Sequence, residues 1–258
     1  MVFVMGGRGF VGSAYGRLFA RLGIEHEILE IDNYAHYRGR SCDILINANG
    51  NSKKFLATQD PLAEFDGTVR PVCQSLHDIK FNKYVLCSTC DVYNEFADPA
   101  LNHEAVEIDP ARQSRYGFHK HIAERFVRYE AKDYLIFRFG GFVGPNMRKN
   151  PIFDILNGGP LWLAAESRLQ FLHTDVAAAT VWNMIQRGIR GETFNLCGNG
   201  LVCLQDVMAW AGRSVPVKEN SPAVTYHINI SKIQQYVDIP STSETVRQFV
   251  EEYVRADK

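Results

Sequence analysis

The chain predicts an α/β fold: a Rossmann-like, doubly wound parallel sheet followed by a small, irregular C-terminal substrate lobe. Three observations carry that expectation. Short apolar runs alternate with helical patterns through the first half, and repeated strand-helix-strand order calls for parallel strands with helices on both faces. The runs show little polar alternation, as befits strands buried on two sides. The first of them flows into Gly6-Gly7-Arg8-Gly9-Phe10-Val11-Gly12, a glycine turn set ahead of a helical segment.

Val2–Met5 is the first strand, and residues 10–22 carry helical spacing. Glu27–Ile31 reads as the second strand. Only about eleven residues separate Asp32 from Asp43. A strand-helix step takes ~20 residues or more, so a loop is expected there. Ile44–Asn47 and Tyr84–Cys87 are the next strands, with helices over 61–78 and 113–130 and a fifth strand at Leu135–Phe139. After Gly144-Pro145 the texture changes. Residues 146–170 are rich in Asn, Pro, Gly and Arg, 171–187 read as a strand and a helix, and Phe194 lies in a short strand. Helices are expected at about 204–211 and 242–256. The expected division is a dinucleotide-binding domain over 1–145, with 171–198 returning to it, and a substrate lobe over 146–258.

A chain of 258 residues can bury a sizeable core. Its net charge of −1 gives no basic field for nucleic acid. No apolar run nears the ~20 residues of a membrane span, and the opening is too short and uncharged for a signal peptide. The six cysteines are scattered and read as reduced thiols of a cytoplasmic protein. Cys87 and Cys90 fall at a strand end, where residues three apart lie ~10 Å apart on opposite faces. A disulfide needs Cα atoms within ~7 Å, so buried or site-lining thiols are expected. His103, His119 and His121 show no metal-ligand pattern, and His173 reads as a packing residue. No metal is expected.

Gly6, Gly9 and Gly12 give Gly-x-x-Gly-x-x-Gly, and counting from Gly7 gives Gly-x-Gly-x-x-Gly. Either register serves the same physics. One glycine makes the tight turn, one lets pyrophosphate approach the backbone, and one lets helix pack on strand. Asp32 is expected to close the second strand, about twenty residues past the last glycine, and to accept hydrogen bonds from the adenosine ribose. Asn33 stands beside it as a further cofactor contact. An acid there repels a 2′-phosphate, so NAD is favoured and NADP is the alternative. Arg8, Arg38 and Arg40 are the dissenting residues, because each suits a phosphate.

Tyr116 and Lys120 are four apart on the 113–130 helix and share a face. A phenol near pKa ~10 is a poor base at neutral pH. A neighbouring ammonium stabilises the phenolate and is expected to lower that value. Tyr116 then exchanges a proton with a substrate hydroxyl, while Lys120 also holds the nicotinamide ribose. A third hydroxyl is expected at the end of the preceding strand, in Ser88-Thr89-Cys90-Asp91-Val92-Tyr93.

With these residues in view, the sequence resembles the extended short-chain dehydrogenase/reductase superfamily, in its NAD-dependent sugar-nucleotide epimerase/dehydratase family. The matching segments are the glycine turn with Ser13, Asn47-Ala48-Asn49-Gly50, Ser88 to Tyr93, Tyr116 to Lys120 with Ala123-Glu124, Phe137-Arg138-Phe139 with Gly144-Pro145, and Phe171 to Ala177. They run in order over about residues 1–198, and beyond that the match fades.

The resemblance implies that Thr89 orients the substrate oxygen, that Tyr116 is the acid/base and that Lys120 is its partner. Phe10 and Val11 would offer amides to pyrophosphate, and Asn47, Ala48, Asn49 and Gly50 would line the cofactor. Family dehydratases carry an Asp-Glu pair after the threonine, where this chain has Cys90-Asp91. That demotes dehydration and leaves Asp91 as a possible second acid/base. For substrate, Asn146, Arg148 and Lys149 are placed to hold a nucleotide diphosphate. Arg168 stands near the family's pyrophosphate arginine, although the usual Arg-Asp-Phe is here Leu169-Gln170-Phe171.

The implied activity is epimerisation of a nucleotide sugar through a transient 4-keto intermediate. An NAD(P)H-dependent 4-ketoreductase, or an epimerase-reductase like the GDP-fucose synthases, is the first rival. A non-catalytic dinucleotide-binding regulator is the second. A homodimer paired through the 112–128 helix is also implied, as in relatives.

Overall fold

The computed structural model describes residues 1–51 and 54–256. The chain divides into two compact units. The first comprises Met1–Asn94, Glu107–Phe139 and Ala178–Phe194, and the second comprises Glu95–Val106, Gly140–Ala177 and Asn195–Lys258.

The first unit is built on β1 (Val2–Met5), β2 (His26–Leu29), β3 (Ser41–Asn47), β4 (Lys80–Thr89) and β5 (Tyr134–Phe139), with β9 (Glu192–Leu196) completing the sheet. The order is β2-β1-β3-β4-β5-β9, and the pairings among β1 to β5 are parallel. This is the expected Rossmann-like sheet. β1 lies between β2 and β3, so successive connections leave it in opposite directions. The crevice at its C-terminal end is the topological switch point where ligands of such sheets bind.

The helices of this unit are α1 (Gly12–Leu22), the short α2 (Leu56–Gln59), α3 (Pro61–Asp78) and α4 (Arg115–Glu130), joined by the later part of α6 (Thr174–Gln186). α1 stops at Gly23, which takes the left-handed conformation at φ 66°, a glycine C-cap. α3 starts where Asp60 accepts a hydrogen bond from the Ala63 amide, with Pro61 in its first turn. α4 starts where Ser114 accepts from the Gly117 amide.

Phe3, Leu45, Tyr84 and Ile136 form the middle of the core with Val72, Ala123 and Val127 from the helices. Burial of each large apolar side chain contributes roughly 1.5–3 kcal/mol.

Two expectations are corrected here. β2 ends at Leu29, not Ile31, and Ile31 is 99% exposed. The cause is local. The Asn33 side chain accepts from the Glu30 amide at 2.7 Å and donates to the Ile28 carbonyl at 3.0 Å, which folds residues 30–33 into a turn. β4 also extends from Lys80 to Thr89, well beyond the apolar run at its centre, because its ladder with β3 begins at Ser41 and Lys80.

The stretch between β2 and β3 is a loop with one 3-10 turn at Tyr34–Tyr37. Tyr37 anchors it, buried edge-on against Phe3 with centroids 5.2 Å apart.

A buried ionic clasp ties α4 to the sheet. Glu124 is fully buried and accepts from Ser88 Oγ at 2.6 Å, from Arg138 Nε and Nη2 at 3.0 and 2.8 Å, and from Arg128 Nη2 at 3.0 Å. Arg138 also donates to Tyr93 Oη at 2.9 Å. Burial alone would raise the Glu124 carboxyl. The charges and hydrogen bonds of Arg138, followed by Arg128 and Ser88, outweigh it and hold the carboxyl below its ordinary value.

The second unit contains the parallel pair β6 (Gly141–Val143) and β8 (Phe171–His173), and the antiparallel pair β7 (Arg168–Leu169) and β10 (Val202–Cys203). Its helices are α5 (Pro151–Leu156), α7 (Leu204–Ala211), α8 (Ser231–Gln234) and α9 (Thr242–Ala256), along with the opening of α6. Val143, Ile152, Phe171, Leu204, Val207, Val246 and Val250 share its core. No helix among the described residues is long and apolar enough to cross a membrane.

Candidate active site

The C-terminal edge of β1, β3 and β4 gathers most of the residues expected to act. Gly6 follows β1 in the left-handed region at φ 69°, and its amide donates to the Leu29 carbonyl. A side chain at position 6 would meet the backbone of Asn49 at 2.9 Å, and one at Gly12 would lie 2.0 Å from the Gly6 carbonyl oxygen. Both approaches require glycine.

Gly9 donates to Gly6, and Ser13 donates to Gly9. The amides of Phe10 and Val11 donate to no described group, and α1 has no side-chain cap at Val11. A helix N-terminus with open donors therefore faces this edge, the arrangement that binds phosphate.

Beyond β3 the expected cofactor residues split by role. Asn47 is fully buried and spends its side chain internally. Its amide nitrogen donates to Tyr84 Oη at 2.8 Å, and its oxygen accepts from the Asn49 amide at 3.0 Å. Ala48 donates its amide to the Met5 carbonyl, and Asn49 reaches the Gly67 carbonyl at 3.3 Å. Asn47 thus shapes the crevice floor rather than presenting a side chain to it.

At the end of β4, Thr89 Oγ1 donates to Asp91 Oδ2 at 3.0 Å and accepts from the Asp91 amide at 3.2 Å. Asp91 is buried and also meets Lys54 Nζ at 2.7–2.8 Å. α4 packs directly on this turn, since a side chain at Gly117 would lie 2.0 Å from the Asp91 carbonyl oxygen. That contact brings the neighbouring Tyr116, half-buried, within the electrostatic influence of Asp91. One helical turn on, Lys120 is buried with Nζ beside Gly50. Neither Tyr116 Oη nor Lys120 Nζ has a hydrogen-bond partner among the described residues.

The electrostatics correct the expectation for the phenol. Burial pushes Tyr116 up, and the charges of Asp91 and Glu64 add to it. Burial pushes the Lys120 ammonium down, against the pull of Cys87, Glu64, Glu124 and Asp91. The Lys120 ammonium lies against Gly50, and the net direction of the Tyr116 shift is upward.

The ribose end is also rearranged. Asp32 does not close β2. Glu30 is the first residue beyond the strand, and its Oε1 accepts from the Arg8 amide at 2.6 Å. Asp32 is exposed and pairs with the Arg8 guanidinium at 2.9 Å. Arg38 pairs with Asp78 and Arg40 with Glu27, so each arginine suited to a phosphate already has a carboxylate. Asn33 serves the turn that ends β2.

Two residues of this edge carry no mark in the sequence pattern as partners, Glu30 and Lys54; Gly50, expected to line the cofactor, gains its fit to Lys120. Glu30 was legible only as an acid nearer the strand. Nothing in the pattern pointed to Lys54.

The expected substrate residues lie in the second unit, each exposed. Asn146, at φ 68°, and Arg148 follow β6, and Arg168 opens β7 with its backbone paired to Val224 and Tyr226. Gln170, in place of the family's aspartate, is buried and bonded to Gly198 and Ile228.

The profile of the NAD dependent epimerase/dehydratase family matches residues 2–197. The chain belongs to this family. It is an NAD(P)-dependent enzyme of the short-chain dehydrogenase type. No curated protein sequence matches it significantly.

Solved structures similar to this family member include Pal from Bacillus thuringiensis, at 17% identity and TM-score 0.80, covering 100% of this chain and 99% of that one. A mutant UDP-glucuronic acid 4-epimerase from Bacillus cereus, in complex with UDP-4-deoxy-4-fluoro-glucuronic acid and NAD, gives 17% identity and TM-score 0.79, covering 100% and 99%. RMD from Pseudomonas aeruginosa, complexed with NADPH, gives 15% and 0.78, covering 99% of each. These likenesses show the fold.

The residues present fit the family's dinucleotide. The glycine cradle admits no side chain at positions 6 and 12, the α1 amides are open, and a buried ammonium stands without a described partner.

Proposed function

We propose that this family member is an NAD-dependent epimerase of a nucleotide-activated sugar, working through a transient 4-keto intermediate. One observation carries the reading. Thr89 ends β4 and α4, which carries Tyr116 and Lys120, packs on the turn just beyond it, while Cys90, in the place of the dehydratases' first carboxylate, is buried with its thiol donating to the Arg138 carbonyl at 3.2 Å. A sealed thiol cannot protonate a leaving hydroxyl, so elimination lacks its acid and the redox set remains.

NAD, when bound, accepts and returns the hydride. The pyrophosphate would rest on the Phe10 and Val11 amides, and Lys120 would hold the nicotinamide ribose. Tyr116 takes the proton of the substrate hydroxyl and gives it back after the ketone has turned its other face. Thr89 orients that oxygen. Its proton is engaged by Asp91, so turning it toward substrate means releasing that bond. Asp91 is then a carboxylate beside the transient ketone, suited to moving a proton at an adjacent carbon. Asn146, Arg148 and Arg168 are the proposed contacts to the nucleotide diphosphate. Exposed Leu62, Phe118 and Tyr129 on α3 and α4 support a homodimer through these helices.

The test is mass spectrometry of small molecules released from the purified protein, followed by incubation with UDP-glucose, UDP-galactose and UDP-glucuronic acid. Tight NAD and sugar inversion without added cofactor support the epimerase. Stoichiometric consumption of added NADPH on a 4-keto nucleotide sugar would replace it with the reductase.

A further inference from the structure

Arg8 is gripped at both ends. Its amide donates to Glu30 and its guanidinium to Asp32. The two carboxylates differ in placement. Leu29 is in register with Met5, the last residue of β1, and Gly6 donates to the Leu29 carbonyl. Glu30 is therefore held against the glycine turn itself. One of its oxygens is on Arg8, and the other is left for further donors. Asp32 lies two residues out, on the turn clasped by Asn33, and is exposed.

We propose that Glu30 is the ribose carboxylate of this enzyme, and that Asp32 acts on cofactor choice indirectly, by holding the Arg8 guanidinium as a latch against NADP. The proposal rests on the dinucleotide reading above and deepens it. An arginine in the glycine turn is the side chain that would greet a 2′-phosphate. Here it meets a carboxylate first. With both acids present, this corner carries a net negative charge despite the arginine. An exposed pair binds weakly, so the latch works as a charge balance and not as a barrier. The neighbouring cations add no net charge, because Asp78 and Glu27 balance Arg38 and Arg40. The loop between β2 and β3 offers no further strand to wall this corner, which leaves selectivity to these side chains.

The experiment measures dissociation constants of NADH and NADPH by nicotinamide fluorescence, with no substrate present, at low and moderate salt. The wild type should prefer NADH. Asp32→Asn should tighten NADPH about threefold to tenfold, with NADH within about twofold, and added salt should erode the gain. Glu30→Gln keeps an oxygen for the Arg8 amide but should weaken NADH about tenfold. Arg8→Ala combined with Asp32→Asn should abolish the gain for NADPH, which separates a freed guanidinium from mere loss of negative charge.

The latch is overturned if Asp32→Asn leaves NADPH unchanged, or if it weakens NADH as much as Glu30→Gln does, which would make Asp32 the ribose ligand. Failure of the wild type to bind either nucleotide is a separate result. It would sink the dinucleotide reading and the latch with it.

Discussion

Lys120 Nζ occupies the space that a side chain at residue 50 would need, 2.6 Å from where the Cβ would stand, and Gly50 sits at φ 157°. The lysine and the glycine are one device. Gly50→Ala should push the ammonium out of place without disturbing the core. NADH affinity should fall roughly tenfold or more, with the melting temperature within a few degrees, because the lost contact is a charged hydrogen bond. Fluorescence titration beside a thermal melt checks this. Gly12→Ala differs, since its Cβ would strike the Gly6 carbonyl at 2.0 Å. It should cost both binding and stability.

Tyr116→Phe removes the proton carrier and leaves the hydrophobic ring. Turnover should fall by ~10²–10⁴, with cofactor content unchanged in the purified protein. A variant that still turns over at the wild-type rate would unseat Tyr116 as acid/base.

The Tyr116 phenol is raised by burial, then by Asp91 and Glu64. Proton uptake from an alcohol needs phenolate, so kcat/KM for oxidation should climb with pH through the neutral range. Asp91→Asn removes the larger of the two negative influences and favours phenolate. Its rising limb should move to lower pH. A limb that stays in place would show that Asp91 does not sense the phenol.

Glu124→Ala should be the most destabilising of these changes. It leaves Arg138 buried without its partner, a loss of roughly 3–5 kcal/mol readable in urea unfolding. The folded carboxyl is held low, so its contribution is complete above the unfolded value of about 4.3 and is lost as pH falls through the folded value. The stability gap between wild type and Glu124→Gln should therefore narrow in acid.

Much of this was legible in the chain. α3, α7 and α9 fall where their spacing put them, because a capping acid, an amphipathic face or a terminal glycine marks each boundary. The trimmed β2–β3 connection followed from length alone. What pattern could not reach was side-chain pairing. Ile31 has the character of a strand residue, yet the Asn33 turn sends it outward and ends β2 early. The Tyr116–Lys120 spacing gives a shared helix face but not the direction of the ammonium, which Gly50 decides. Lys54 reaches Asp91 across thirty-seven residues, a distance no local pattern encodes.

The first unit is discontinuous: its sheet ends with β9, which arrives after a long excursion through the second unit. During synthesis, the strands that carry the glycine turn and Tyr116 emerge early and must wait for the last one. Shortening the chain to its N-terminal segment would leave β5 as a bare edge, open to aggregation. The sheet that carries the glycine turn is therefore closed only by a segment from beyond the second unit.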